Sequence, residues 1–259
     1  MAKWSNRVSK VVAAMAGSFR YPPMEGAPGT TIRIPLAAHR RFRSGPMQDA
    51  DLVAFLVNAL PDAGGVFLDV GANIGTYSAA IGVVRGGKLR GAAFEPVPTT
   101  NALLRRTLAL NGLDGFLAEA VALSSHEAQL RLSATAGGEN NFIVPLEDTR
   151  RQVVARSTTL DASVAAHPEL APDAIKIDVE GHELEVLKGG LRVLSRFRPA
   201  RVLECHCASW PALGVDPAEV AGALDQCGCA APSDRKGTVV DLRKCTETIH
   251  VLCRSGTTA

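Results

Sequence analysis

The chain has 259 residues, 46% of them hydrophobic and 21% charged, enough for one soluble domain with its own core and a modest appendage. That balance excludes collagen-like, low-complexity and disordered chains. The formal charge of +2 hides an asymmetry: residues 1–43 carry eight basic side chains against the single acid Glu25, a balance of +7, so the rest of the chain carries −5.

Trp4, Val8, Val11, Val12 and Met15 recur at helical spacing beside Lys3, Arg7 and Lys10, so residues 3–17 are expected to form a basic amphipathic helix. Its apolar stripe is short, which favours packing on the main domain over lying on a membrane surface, and it could also pair with a second copy of the chain. The same stretch faintly imitates a signal peptide, but its apolar core is short and poor in Leu. No run approaches the roughly 18 apolar residues of a membrane span. Residues 21–30, rich in Pro and Gly, read as a linker. Residues 1–48 are therefore read as an appendage and 49–259 as the main domain.

From Asp51 the pattern becomes regular. A helix through Leu60 precedes Val66-Phe67-Leu68-Asp69-Val70, an apolar run of the kind that parallel strands buried on both faces show. Gly71-Ala72-Asn73-Ile74-Gly75 interrupts it, and a helix follows over Thr76–Val84. A second strand ends at Glu95-Pro96, a helix spans Thr99–Asn111 up to Gly112, and a third strand lies near Phe116–Ala120. This βαβαβ succession is half of a doubly wound α/β sheet. Further strands are expected over 129–133, 152–158, 174–180, 200–205, 238–241 and 248–253, with helices over 183–194 and 217–226.

The first strand-to-helix junction discriminates between cofactors. A dinucleotide site wants glycine where Asp69 stands, because the pyrophosphate approaches the backbone there. A carboxylate would repel a pyrophosphate and suit a cationic ligand such as S-adenosyl-L-methionine. Gly71 would then let that ligand cross the strand end. Glu95, twenty positions after Gly75, is placed to accept hydrogen bonds from both ribose hydroxyls, although a strand-end acid can also cap the next helix.

These pieces resemble the FkbM-type S-adenosylmethionine-dependent methyltransferases. The matching segments are Phe67 to Gly75, Phe94-Glu95-Pro96 with Leu103 to Gly112, Ala120 to Ser124, Thr158 to Asp161, and Ile175 to Glu183 with Val186 to Gly190. The resemblance runs over about residues 66–207. It implies a Rossmann-like class I methyltransferase sheet of seven strands, the last antiparallel. It also implies O-methylation of a sugar, polyketide or related natural product. The cofactor-binding residues expected are Asp69, Gly71, Asn73, Gly75, Thr76, Glu95, Pro96, Ala122, Ser124 and Asp178.

Methyl transfer is an in-line displacement, so the enzyme chiefly aligns the acceptor and takes its proton. His182 is the first candidate for that base because its pKa lies near neutrality, with Glu180 and Asp178 beside it as alternatives. In a continuous strand Lys176, Asp178 and Glu180 would share one face, and Lys176 could be a buried ion-pair partner. Asp178, Glu180 and Glu204 could alternatively gather one hard cation, but the spacing shows no distinctive metal motif, and no metal site is assigned. Glu204 and His206 share the other candidate face, toward the acceptor.

The six cysteines lie between 205 and 253. One residue between paired cysteines is too few for a zinc knuckle, and a chain with a full core needs no staples, so reduced thiols packed in strands and a cytoplasmic location are expected. Gly137 to Asn141 reads as a lid that brings Asn140 and Asn141 to the acceptor. Residues 38–43 could receive an anionic or glycosylated acceptor. Nucleic acid is discounted because the body is acidic and aromatics total 5%. Carboxyl or nitrogen methylation, an NAD-dependent oxidoreductase and a non-catalytic cofactor-binding protein are the competing readings.

Overall fold

The structure is a computed structural model that describes residues 18–20, 31–38, 49–133, 152–229 and 231–254. The helix expected over residues 3–17, the linker expected over 21–30, Arg40 to Arg43 and the lid expected with Asn140 and Asn141 lie outside the described residues.

Six strands form the central sheet: β3 (Val66–Val70), β4 (Arg90–Phe94), β5 (Phe116–Glu119), β9 (Ala174–Ile177), β10 (Ala200–His206) and β11 (Thr248–Cys253), in the order β11-β10-β9-β3-β4-β5. All neighbours are parallel except β10 and β11. The chain starts at the centre, steps out to β5, then returns to β9 on the other side of β3. The carboxyl ends of β3 and β9 therefore flank the point where the winding reverses, the place where open α/β sheets bind ligands.

Alternation along β3 divides the core. Val66, Leu68 and Val70 pack with α5 (Glu183–Gly189), α6 (Leu191–Phe197) and α7 (Pro217–Gln226). Phe67 packs on the opposite face with α1 (Ala50–Ala59), α2 (Thr76–Val84) and α3 (Pro98–Leu110). A side sheet of β6 (Ala122–Leu123), β8 (Gln152–Thr158) and β7 (Ala128–Ser133) follows β5, and α4 (Leu160–Ala166) leads from it to β9.

Several expectations are corrected. The central sheet has six strands among the described residues, not seven. Residues 238–241 make only an isolated bridge, Val239 to Ser233, because the Asp234 carboxylate accepts the amides of Lys236 and Thr238 and folds the segment into a turn. The helix expected over 183–194 is two helices meeting at Gly189-Gly190, where the chain passes so close to Ser124 that a Cβ on Gly189 would lie 2.0 Å from its carbonyl oxygen. Part of the appendage is a hairpin, β1 (Ser18–Arg20) with β2 (Arg33–Pro35), whose Ile34 is buried in the same core as α3. Asn111 clamps it, accepting the Arg33 amide at 2.8 Å and donating to the Arg33 carbonyl at 2.8 Å.

The cysteines are not all reduced. Cys207 pairs with Cys245 and Cys229 with Cys253, while Cys205 and Cys227 are free and buried. A core that needs no staple does not prevent the fold from bringing two pairs into reach, and here the ends of β10 and β11 do so. None of the described helices is long and apolar enough to cross a membrane.

Candidate active site

A cavity of about 710 Å³, measured with its open mouth, lies at the carboxyl ends of β3, β4 and β9. Gly71, Asn73, Glu95, Pro96, Ala122, Asp178, Glu180 and His182 all line it, and Leu132 of the side sheet closes one wall. Residues more than 100 positions apart, expected separately as cofactor-binding or catalytic, thus share one pocket.

Glu95 is 6% exposed and held by two backbone amides: Oε2 accepts Asn73 N at 3.1 Å and Oε1 accepts Val97 N at 2.9 Å. The second bond is the turn-closing role that a strand-end acid can play, so Glu95 serves the entry to α3 as well as the pocket wall. Asn73 reaches it from the left-handed region, φ 52°, which Asn tolerates better than most residues.

Asp69 is a correction. It does not line the cavity; it is fully buried, and its Oδ2 accepts Ser78 N at 3.2 Å and Ser78 Oγ at 2.7 Å. The cation facing it is Lys176, whose Nζ stands 3.7 Å from Asp69 Oδ1, 3.1 Å from Asp178 Oδ2 and 2.9 Å from the Gly71 carbonyl. Burial works against the Lys176 ammonium, but Asp178 and Asp69 outweigh it and hold its pKa above the ordinary lysine range. The ion-pair alternative for Lys176 is therefore the one realised. Gly71 is also explained differently: it lines the pocket, but the group pressing on it is the Asp178 carbonyl. Gly75 and Thr76 form the entry to α2 and are not among the lining residues.

β9 ends at Ile177, so the alternation expected through Asp178 and Glu180 does not hold. Glu180 adopts φ 55° and Gly181 φ 100°, a left-handed turn into α5 that brings Asp178, Glu180 and His182 to the cavity together. His182 faces the side-sheet end: its Nε2 lies 3.0 Å from Ser124 Oγ, and burial lowers its pKa, so the ring is neutral at neutral pH. Ser124 itself is buried and does not line the cavity.

Glu180 faces the other way, its Oε2 lying 3.3 Å from His206 Nε2. His206 is 9% exposed, so it stands behind Glu180 rather than open to an acceptor. Its Nδ1 lies 2.9 Å from Oε1 of Glu183, a fully buried carboxylate that also accepts Gly181 N and Trp210 Nε1, each at 2.9 Å. Burial disfavours the imidazolium, but the hydrogen bond and charge of Glu183, then Glu180 and Asp178, raise the His206 pKa to about 9. Burial pushes Glu180 up to about 7 despite His206. Asp178 is raised by burial, whereas Glu204 is lowered, chiefly by His250, whose Nε2 is 3.5 Å away.

Asp178, Glu204 and His206 each offer one atom within 4.8 Å of the others, a grouping that a cation could enter only by displacing the proton His206 keeps on Nε2. Ser78, Trp210 and His250 were not anticipated from sequence. Ser78 had a local signal, lying at helical spacing after the strand-end acid; Trp210 and His250 are joined to the site only by the fold.

Residues 69–229 match the Methyltransferase FkbM domain family. The chain is 26% identical over 222 residues to the hexuronic acid methyltransferase AglP of Haloferax volcanii, covering 85% of this chain and 87% of that protein. A crystal structure of a methyltransferase FkbM from Methylobacillus flagellatus KT is 23% identical with a TM-score of 0.40, matching 55% of this chain; the match spans only 33% of that longer one. A SAM-dependent methyltransferase from Agrobacterium tumefaciens is 10% identical with a TM-score of 0.48, covering 92% of this chain and 70% of its own. With its family segment running from inside β3 to Cys229, just past α7, and holding the whole cavity wall, the chain belongs to the FkbM methyltransferase family.

Proposed function

We propose that this methyltransferase uses S-adenosyl-L-methionine to methylate a hydroxyl of a sugar-type small molecule. The observation that carries the reading is Glu95, a carboxylate fixed by two amides on the wall of the switch-point cavity, where it suits the paired hydroxyls of an adenosyl ribose. The donor set fits that cofactor and not a dinucleotide: Glu95, Asp178 and Glu180 give the wall an acidic character that favours a cationic ligand and opposes a pyrophosphate. When bound, the cofactor supplies a methyl group on a cationic sulfur. Glu95 would hold its ribose, Gly71 and Asn73 would lie along it, and Ala122 would border its base.

The acceptor reading leans on the relative named for a hexuronic acid. A hydroxyl is favoured over the sugar carboxylate as the reacting group because Asp178 and Glu180 on the cavity wall keep an acceptor's own carboxylate turned away from them. Isothermal titration tests the cofactor: wild type binds S-adenosylmethionine, and Glu95→Ala weakens binding by about tenfold or more, the worth of hydrogen bonds to a charged group. An absence of binding by the wild type overturns the reading. S-adenosylhomocysteine release, measured against paired uronic acid glycosides and their neutral counterparts, tests the acceptor.

A further inference from the structure

We propose that Glu183 and His206 are positioning residues that hold Glu180 from both its backbone and its side chain, making the Glu180 carboxylate the group that takes the acceptor's proton. The inference rests on the hydroxyl-methylation reading above and extends it to residues outside the pocket wall.

Three hydrogen bonds converge on Glu183, which is fully buried. One, from Gly181 N, fixes the peptide that follows Glu180, in a turn where Glu180 itself sits at φ 55°. Such a conformation in a non-glycine residue costs on the order of 1 kcal/mol and persists where the surroundings enforce it. The second, from His206 Nδ1, aims the other ring nitrogen at Glu180. The third, from Trp210 Nε1, uses the remaining oxygen, so the carboxylate has no freedom to turn. One side chain thereby fixes the backbone at 181 and the ring that pairs with residue 180.

The groups facing His206 are Glu183 on α5, Asp178 and Glu180 on the turn after β9, and Glu204 on its own strand; Lys176 stands beside Asp178 and His250 beside Glu204. Amid those carboxylates His206 keeps both ring protons at neutral pH and cannot itself accept another. Asp178 and Glu180 are the members of this set that line the cavity; Asp178 is tied to the buried Lys176 ammonium at 3.1 Å, whereas the raised pKa of Glu180 matches a base working near neutrality. His182 is engaged with Ser124 on the opposite side of the turn. In the transfer the acceptor O–H bond breaks and its proton passes to a Glu180 oxygen while the acceptor oxygen bonds the methyl carbon, whose bond to the cofactor sulfur breaks to leave neutral S-adenosylhomocysteine; Glu180 later returns that proton to water through the open mouth.

The test uses the full chain, with p-nitrophenyl β-D-glucuronide as acceptor probe and S-adenosylmethionine affinity measured in parallel. Glu180→Gln should lower kcat by 10²–10⁴, as loss of a general base does, with cofactor affinity within about twofold. Glu183→Gln and His206→Gln should each lower kcat by about tenfold or more and displace the pH limb that Glu180 sets, again with near-normal cofactor affinity. Wild-type kcat and an unmoved pH limb in either positioning variant would overturn the proposal. So would loss of turnover on chelation that Mg²⁺ restores. Where a variant does not fold, carboxyl and imidazole NMR of the wild type decides: His206 holding both protons at pH 8 while Glu180 titrates near 7 supports the proposal, and a neutral His206 there refutes it. Absence of turnover with this probe by a wild type that binds cofactor counts against the acceptor reading alone, and the NMR titration then settles the inference.

Discussion

The carbonyl oxygen of Asp178 occupies the space where a side chain on Gly71 would have to begin: a Cβ built at Gly71 would lie 1.8 Å from it. Both residues border the cavity, and the amide of Gly71 is bonded to Phe94 O at 3.0 Å, so neither backbone can withdraw. Gly71→Ala is expected to destabilise the fold by about 2–4 kcal/mol, combining a steric clash with a φ of 73° that L-residues avoid. Urea denaturation measures this, and a change under about 1 kcal/mol would contradict it.

Lys176 is the cation between two carboxylates at the sheet centre. Replacing it by Met leaves Asp69 and Asp178 without their counter-charge, and removal of one member of a buried pair typically costs about 3–5 kcal/mol. Thermal melts of Lys176→Met should show that loss; the double variant with Asp69→Asn should recover part of it, because one stranded charge is gone. Recovery by neither variant, with a melting point equal to wild type, would show that the ion pairs are energetically idle.

The two disulfides close loops of 38 and 24 residues. On the chain-entropy account each contributes about 3–4 kcal/mol, through the unfolded state. Thiol titration of the unfolded, unreduced chain should find two reactive groups, those of Cys205 and Cys227, rising to six after reduction. Reduction should lower the melting temperature, and Cys229→Ser should reproduce part of that drop.

His206 makes stability depend on pH in a defined direction. Its pKa is about 9 in the fold against 6.5 for the free side chain, so the folded state binds the extra proton and the stabilisation is complete below about 6.5. It is lost as pH rises to 9, about 1–3 kcal/mol after allowing for solvent screening. Glu180, raised to about 7, tilts the curve the same way at lower pH, between about 4.5 and 7. Chemical denaturation at pH 7 and pH 9 should therefore show falling stability in the wild type and a flatter profile in His206→Gln.

The sheet centre was legible because strands buried on both faces leave a plain signature: Val66 to Val70, apolar but for Asp69, and Gly91 to Phe94 are short runs with Gly or Pro close by. The wall residues Asn73, Glu95, Asp178, Glu180 and His182 were legible because they stand at the ends of those runs. What sequence could not resolve was which way a side chain points. Asp69 turns inward to Ser78 and Lys176, a choice set by two contacts, one of them 107 positions away. Glu180 leaves the strand alternation through a left-handed conformation, for which the following Gly181 was the only local hint. The disulfides and the Glu183–Trp210 bond join residues distant in the chain, and spacing alone carries no record of them. The β1–β2 hairpin consists of three-residue strands, too short for a period to show.

Trp210 has a practical consequence of its own. Its indole N–H ends on Glu183, its ring is fully buried, and the chain has only one other tryptophan, Trp4. With Trp4→Phe, the protein would hold a single tryptophan, excited apart from its two tyrosines at the red edge of the band, bonded to the carboxylate that orders His206 and Glu180. Its emission would then follow the charge and geometry of that carboxylate in real time, giving an optical trace of ligand arrival without any label.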